Sequence, residues 1–385
     1  MKNWGRKKIV DISTVFEDGD WIESKDQSTE GIRLIQTGNV GNGIFKDRGE
    51  KARYISEDTF KKLRCTEIFK GDCLVSRLPD PVGRACILPD TGEKMITAVD
   101  CTIIRFDQKQ LISNWFLYYS LSNEYQNEIQ KQVTGATRQR ISRKNLGLVF
   151  VPLPPLPEQQ RIVSILDEAF AAIAKAKANA EQNLKNAKEL FESYLQGAFK
   201  KKGVGWEEKK FDEVCVLQRG FDLPTNSRFE GDYPLVSSNG ITDRINEWKI
   251  KAPGVVTGRS GTIGNVHFIE EDFWPLNTAL YIKEFHGNNE RCIYYFLLQF
   301  DLGKYSSGAG VPTLNRNNVH SEKIWFPKSI EEQKTIVRHL DELRAETQKL
   351  EAVYQKKIDD LEELKKSILQ KAFAGELKTE KVVAV

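Results

Sequence analysis

The sequence predicts an α+β chain with a pseudo-twofold internal repeat, ordered as globular domain, long helix, globular domain, long helix. Three observations predict it. Glu158-Gln159-Gln160-Arg161-Ile162-Val163 and Leu166-Asp167-Glu168 return 174 positions later as Glu332-Gln333-Lys334-Thr335-Ile336-Val337 and Leu340-Asp341-Glu342. Leu195-Gln196 and Ala198-Phe199 return at the same spacing as Leu369-Gln370 and Ala372-Phe373, so the segment between repeats without insertion or deletion. The stretch before each copy mixes short β-forming runs with glycine turns and short apolar helices.

In chain order, residues 1–157 form the first globular domain. Gly71-Asp72-Cys73-Leu74-Val75-Ser76-Arg77, with Gly83 after it, reads as strand, turn and strand. Asn114-Trp115-Phe116-Leu117-Tyr118-Tyr119 reads as a short buried helix. Pro152-Leu153-Pro154-Pro155-Leu156-Pro157 makes a stiff entry to the first long helix, because proline is tolerated before and at a helix start but not inside it. That helix occupies residues 158–202. Its apolar stripe includes Ile162, Leu166, Ile173, Ala180, Leu184 and Phe191, at alternating steps of four and three with one stutter.

Residues 203–331 form the second domain and repeat the first less strictly. Trp206-Glu207-Glu208-Lys209-Lys210 echoes Trp4-Gly5-Arg6-Lys7-Lys8, and Gly254-Val255-Val256-Thr257-Gly258-Arg259 echoes the strand ending at Arg77. Cys292-Ile293-Tyr294-Tyr295-Phe296-Leu297 matches the short buried helix. The second long helix occupies residues 332–377, with Ile336, Leu340, Leu350, Tyr354, Leu361 and Ile368 in its stripe, and a tail covers 378–385. Such stripes bury either against their own domains or against each other. Their narrowness favours a two-helix coiled coil. If the copies run antiparallel with Ile162 opposite Ala372, Ala180 faces Tyr354 and Ala198 faces Ile336, so small residues oppose large ones as dense packing requires.

Composition narrows the function. Hydrophobic residues make up 40% and charged residues 29%, a globular rather than a disordered balance. No apolar run is long enough for a transmembrane helix, and acids interrupt the N-terminal stretch where a secretion signal needs an apolar core, so a cytoplasmic protein without a membrane partner is expected. Six scattered cysteines and four scattered histidines give no metal or disulfide framework. Gly258-Arg259-Ser260-Gly261-Thr262-Ile263-Gly264 lacks the lysine of a phosphate-binding loop and leads into a strand. Leucines flank Pro154-Pro155 where an amino-methyltransferase loop needs an amide or carboxylate and an aromatic ring. No catalytic residue, metal ligand or cofactor site is assigned, and a non-catalytic protein is expected.

The binding signals are cationic. No acid falls between Glu128 and Glu158, while Lys131, Arg138, Arg140, Arg143 and Lys144 crowd one loop. The matching acid-free interval from Asp301 to Glu322 carries Lys304, Asn315, Arg316, Asn317 and Asn318. Arginine and lysine suit phosphates, and arginine and asparagine suit base edges; the alternative is a solvated turn. Residues 1–157 hold 24 bases and 20 acids, whereas 203–331 hold 14 and 17. The second domain therefore needs a local cationic patch if it touches DNA.

Two unequal domains, each followed by a matched helix opening with Glu-Gln, resemble the specificity subunit of type I restriction–modification systems. The sharpest carriers are Leu153-Pro154-Pro155-Leu156-Pro157-Glu158-Gln159-Gln160-Arg161-Ile162-Val163 and the repeated helix, supported by Thr134–Ser142 and the strand around Gly71-Asp72. The second copy departs, with Lys328-Ser329-Ile330-Glu331 in place of the prolines. The resemblance implies two α/β target recognition domains separated by two long antiparallel coiled-coil helices. Each domain would read one half of a split, asymmetric site in double-stranded DNA, with the helices as a ruler. It also implies two methyltransferase subunits carrying S-adenosylmethionine, and motor-nuclease subunits that use ATP and Mg2+. None of those cofactors belongs to this chain.

The repeat refines the DNA-binding candidates, which are Arg77, Arg84, Arg138, Arg140, Arg143, Lys144, Arg259, Asn315, Arg316 and Asn317. Two domains that read different half-sites should read bases where the copies diverge, as at Arg138 and Arg140 against Val311 and Thr313. Arg77 and Arg259, shared by both copies, suit the fold or the phosphate backbone. Phe199 and Phe373 fall off the main seam, and their repetition suggests docking anchors for two copies of one partner; the alternative is packing into their own domains. Two rival functions remain: a free-standing bipartite DNA-binding regulator, and a protein-interaction adaptor without DNA function.

Overall fold

The computed structural model describes residues 4–135, 139–200, 203, 205–307 and 312–377. The chain divides into two compact units, residues 1–178 with 357–385 and residues 179–356, so each unit takes one globular domain and part of both long helices.

In the first unit, Gly5–Lys8 pairs antiparallel with Phe150–Leu153. A four-stranded antiparallel sheet runs in the order Ser13–Asp18, Cys101–Phe106, Cys73–Ser76, Ala85–Ile87. A three-stranded sheet follows in the order Arg53–Ile55, Ile32–Ile35, Met95–Thr97, its last pair parallel. The second unit repeats this plan. Trp206–Lys210 pairs with Lys323–Pro327. Val216–Arg219, Ala279–Glu284, Gly254–Gly258 and Val266–Ile269 form the four-stranded sheet, and Gly240–Ile245, Glu230–Ser237 and Trp274–Pro275 the three-stranded one. The first unit is longer partly through the helices Glu57–Leu63 and Asn123–Gln132.

The long helices run Leu156–Lys200 and Ile330–Phe373. Their starts use different chemistry for one geometry. The Pro155 carbonyl accepts from Glu158 and Gln159 N–H in the first, while in the second Ser329 accepts from Glu332 through its hydroxyl and from Gln333 through its carbonyl. A serine cap thus replaces the proline-rich entry.

The repeated motif fastens each helix to its own domain. Gln159 is fully buried, accepting from Ile112 N–H at 3.0 Å and donating to the carbonyls of Gln110 and Pro154. Gln333 does the same with Asn289 N–H, the Asn288 side-chain oxygen and the Pro327 carbonyl. Leu166 and Leu340 are both fully buried. Tyr118 donates its hydroxyl to Asp167, and Tyr295 to Asp341. These bonds match Tyr118 with Tyr295, one residue away from the pairing suggested by the short apolar helices alone.

Within the first unit Ile162, Leu166 and Ile173 are buried on the first long helix, with Ile368 and Ala372 of the second joining the same core as Ile162 and Leu166. Lys177 pairs with Glu362 at 2.5 Å, and the Lys365 ammonium lies 5.2 Å over the Phe170 ring. Within the second unit Ala180, Phe191 and Leu340 are buried and Arg344 lies 4.7 Å over Phe191. Both cation–ring pairs match the antiparallel register expected from Ile162 opposite Ala372 to within one residue. Leu184, Ile336, Tyr354 and Leu361 are half-buried. Leu350 is a correction: it is 41% exposed, because the buried Thr347 carries the seam on toward Tyr354 and leaves Leu350 on the outer edge.

Phe199 and Phe373 are a second correction. Phe199 is 8% exposed and edges onto Phe296 and Trp206 in the core of the second unit. Phe373 is half-buried, 4.9 Å from the Trp115 ring and 5.3 Å from that of Tyr119. Both leave the coiled-coil seam because they complete a domain core, so neither stands out as a docking anchor.

Candidate nucleic-acid interface

Most of the candidate residues gather at the same place in each unit, where the strand ending just before Arg77 or Arg259 meets a short helix. In the first unit Ile141 N–H donates to the Arg77 carbonyl, and the Ser142 hydroxyl caps the helix Arg143–Gly147. In the second, Leu314 N–H donates to the Arg259 carbonyl, and Asn315 caps Arg316–His320. Those bonds equate Arg143 with Arg316 and Lys144 with Asn317.

In the first unit carboxylates face the cations. Arg77 is 4% exposed, lies 3.4 Å from Asp18, donates to the Val99 carbonyl, and has its pKa lowered by burial. Arg143 reaches the other oxygen of Asp18 at 3.8 Å, and Arg140 pairs with Asp100 at 3.0 Å. Lys144 is exposed. Arg138 lies outside the described residues.

Arg84 is a further correction. It is 7% exposed, and its guanidinium donates to the carbonyls of Thr37, Val40, Leu78 and Pro81. Four backbone acceptors occupy a group that offers five donors, so Arg84 ties loops together and does not face a ligand. Burial lowers its pKa.

In the second unit a cavity of about 300 Å³ is lined by Arg259, Asn315, Arg316 and Asn317 from the candidate set, joined by Arg219, Ser307 and Thr313. Arg259 donates to the Asn277 carbonyl at 3.3 Å and Arg316 to the Gln218 side chain at 3.4 Å. Sequence reasoning missed Arg219 and its first-unit partner Asp18. No sequence signal equated them; the structure marks both through the glycine that follows, since Gly19 and Gly220 each have a carbonyl within 2.5 Å of where a side chain would start.

The chemistry at both junctions is ionic and hydrogen-bonding. The six cysteines are free and buried, and burial pushes Cys65 up to about 11 and Cys86 up to about 12, far from a reactive thiolate. Among the described residues no group of three metal-ligating side chains clusters, and no helix is long and apolar enough to cross a membrane.

Comparison with known proteins places this duplicated scaffold. The family described as type I restriction modification DNA specificity domain matches residues 1–185 and 203–362, so one match falls on each copy. The chain belongs to that family. It is 24% identical to the type I restriction enzyme MjaIX specificity subunit of Methanocaldococcus jannaschii, over 99% of this chain and 95% of that protein. It is also 24% identical to the EcoBI specificity subunit of Escherichia coli, over 70% of this chain and 67% of that one. A solved chain from a type I R-M system studied for its assembly and conformational transition superposes with a TM-score of 0.80, at 17% identity over 98% of this chain and 99% of that one. The HsdS subunit of Thermoanaerobacter tengcongensis gives 0.59 at 17% identity, over 98% of each chain. At that identity the likeness is one of fold.

Proposed function

We propose that this chain is the DNA sequence-recognition subunit of a type I restriction–modification complex. It reads a split, asymmetric site with one half per domain, and docks the methyltransferase subunits. The observation that carries this reading is the duplication of an arginine-bearing strand-to-helix junction on a duplicated scaffold, with different residues at matched positions. Arg140 against Thr313 gives two copies of one frame distinct hydrogen-bonding faces, as two different half-sites require. The chain supplies no catalytic group; S-adenosylmethionine, Mg2+ and ATP come with the methyltransferase and motor-nuclease partners. Methylome sequencing of the host with and without this gene tests the reading. A split adenine-methylated motif should vanish on deletion. An unchanged methylome overturns the proposal in favour of a free-standing regulator or an adaptor.

The first-unit loop contributes through phosphates. Lys144→Ala should weaken binding of the assembled complex across all DNA sequences and flatten its salt dependence by about one unit of log–log slope. Arg143→Ala should change the slope less, because Asp18 already faces that guanidinium. Unchanged slopes for both return the loop to a solvated turn.

A further inference from the structure

The two strand-to-helix junctions are built alike but charged differently. Gly19 N–H donates to the Cys101 carbonyl as Gly220 N–H donates to that of Ala279. Arg77 N–H donates to the Asp100 carbonyl as Arg259 N–H donates to that of Thr278. These bonds equate Asp18 with Arg219 and Asp100 with Thr278. At both positions where the first unit places a carboxylate against its arginines, the second unit has none. One of the two carries an arginine instead.

The consequence is local and large. Arg219, Arg259 and Arg316 line one cavity together with the hydroxyl-bearing Ser307 and Thr313. Among the described residues no carboxylate pairs with Arg259 or Arg316, and only Asp222 pairs with Arg219, at 2.9 Å. Asp222 is also held by the Asn277 amide and is 62% exposed at its side chain, so water screens it. Three guanidiniums therefore share a recess against one screened acid, in a domain with more acids than bases. A recess of this charge, with neutral hydrogen-bonding groups and no carboxylate among its lining residues, suits a tetrahedral oxyanion.

We infer that the second unit's cleft is a phosphodiester-binding site, created by a charge reversal that the first unit lacks, so that the two domains hold DNA with unequal electrostatic strength. This rests on the DNA-recognition reading and adds where the backbone charge is met. In the first unit Asp18 and Asp100 compensate the arginines in place of a phosphate. In the second, a backbone phosphate takes the position of those carboxylates.

The test restores the first unit's charge to the second by Arg219→Asp in the full chain, with Arg219→Ala alongside. Arg219 is half exposed and outside the core, so both variants should melt with the unaltered chain. Two measurements separate this site from the function it rests on. Sulfate, titrated into the full chain at constant ionic strength and followed by calorimetry, should bind the unaltered chain and lose at least tenfold in affinity in Arg219→Asp. Equal sulfate binding in both, or none to the unaltered chain, overturns the site whatever the chain does with DNA. Anisotropy of a labelled duplex with the assembled complex, taken against salt, should give a log–log slope flatter by about one unit or more in Arg219→Asp, and by about one in Arg219→Ala. Loss of sulfate with no change in slope overturns the phosphodiester assignment. Sulfate binding by a chain whose assembled complex has no affinity for any duplex overturns the assignment and the DNA-recognition reading together.

Discussion

Phe199→Ser should lower the stability of the second unit by about 3–5 kcal/mol, the range for removing a buried phenylalanine. For a unit of this size that is a fall in melting temperature of roughly 6–20 °C. The ring sits 5.6 Å from Phe296 and 6.3 Å from Trp206, inside the buried core of the second unit. Phe373→Ser should cost less, about 1.5–3 kcal/mol, close to the transfer term for the ring alone. Phe373 lines an open cavity of about 610 Å³ together with Trp4 and Leu369, so water can enter where the ring was. Differential scanning calorimetry of both variants, with co-purification of the methyltransferase measured below the melting transition, checks the assignment. Unchanged melting with lost co-purification would restore the docking role that the sequence suggested.

The contrast shows which parts of this protein are legible from sequence. The long helices are legible because their information is local: steps of three and four along one stripe, and a fixed repeat spacing. Leu166 and Leu340 stand in that stripe and are fully buried. Arg84 fails for the opposite reason. Nothing near it in sequence tells that the carbonyls of Thr37 and Val40, more than forty residues away, converge on its guanidinium. Phe199 fails because a helix that passes from its partner helix to a domain core changes its buried face, and Leu350 because the seam runs from Thr347 to Tyr354 past it; a single stripe records neither. The charge reversal between Asp18 and Arg219 was invisible because those strands differ in length, six residues against four, and align only through the backbone bonds beyond them. The acid-free loops were legible as cationic. Whether an acid faces them is a tertiary fact.

Gln159→Met and Gln333→Glu should be among the most damaging single changes in the chain, and for distinguishable reasons. Each glutamine is fully buried and makes three hydrogen bonds, two to the start of a short helix in its own domain and one to the proline carbonyl just before its own long helix. Methionine keeps the length and loses every polar atom. The Ile112 N–H and the Gln110 and Pro154 carbonyls are then left facing a thioether, at about 1–3 kcal/mol for each group that finds no water. A loss of about 3 kcal/mol or more, independent of pH, is expected for Gln159→Met. Gln333→Glu keeps the acceptor toward Asn289 N–H but turns a double donor on the Asn288 oxygen and the Pro327 carbonyl into an oxygen. Asn288 cannot turn over to help without loss, because its amide already donates to the Val214 carbonyl at 2.9 Å. Burial among acceptors raises the new carboxyl's folded-state pKa above the unfolded value of about 4.3. The folded state then keeps a proton that the unfolded state releases. Stability relative to the parent should fall as pH rises from about 4.3, by about 1.4 kcal/mol per pH unit, until the carboxyl ionises in the fold and the loss levels off. Chemical denaturation of both variants across pH 4–8 reads this directly. A pH-independent loss in Gln333→Glu would mean that the carboxylate reaches water, and that this junction is looser than its hydrogen bonds describe.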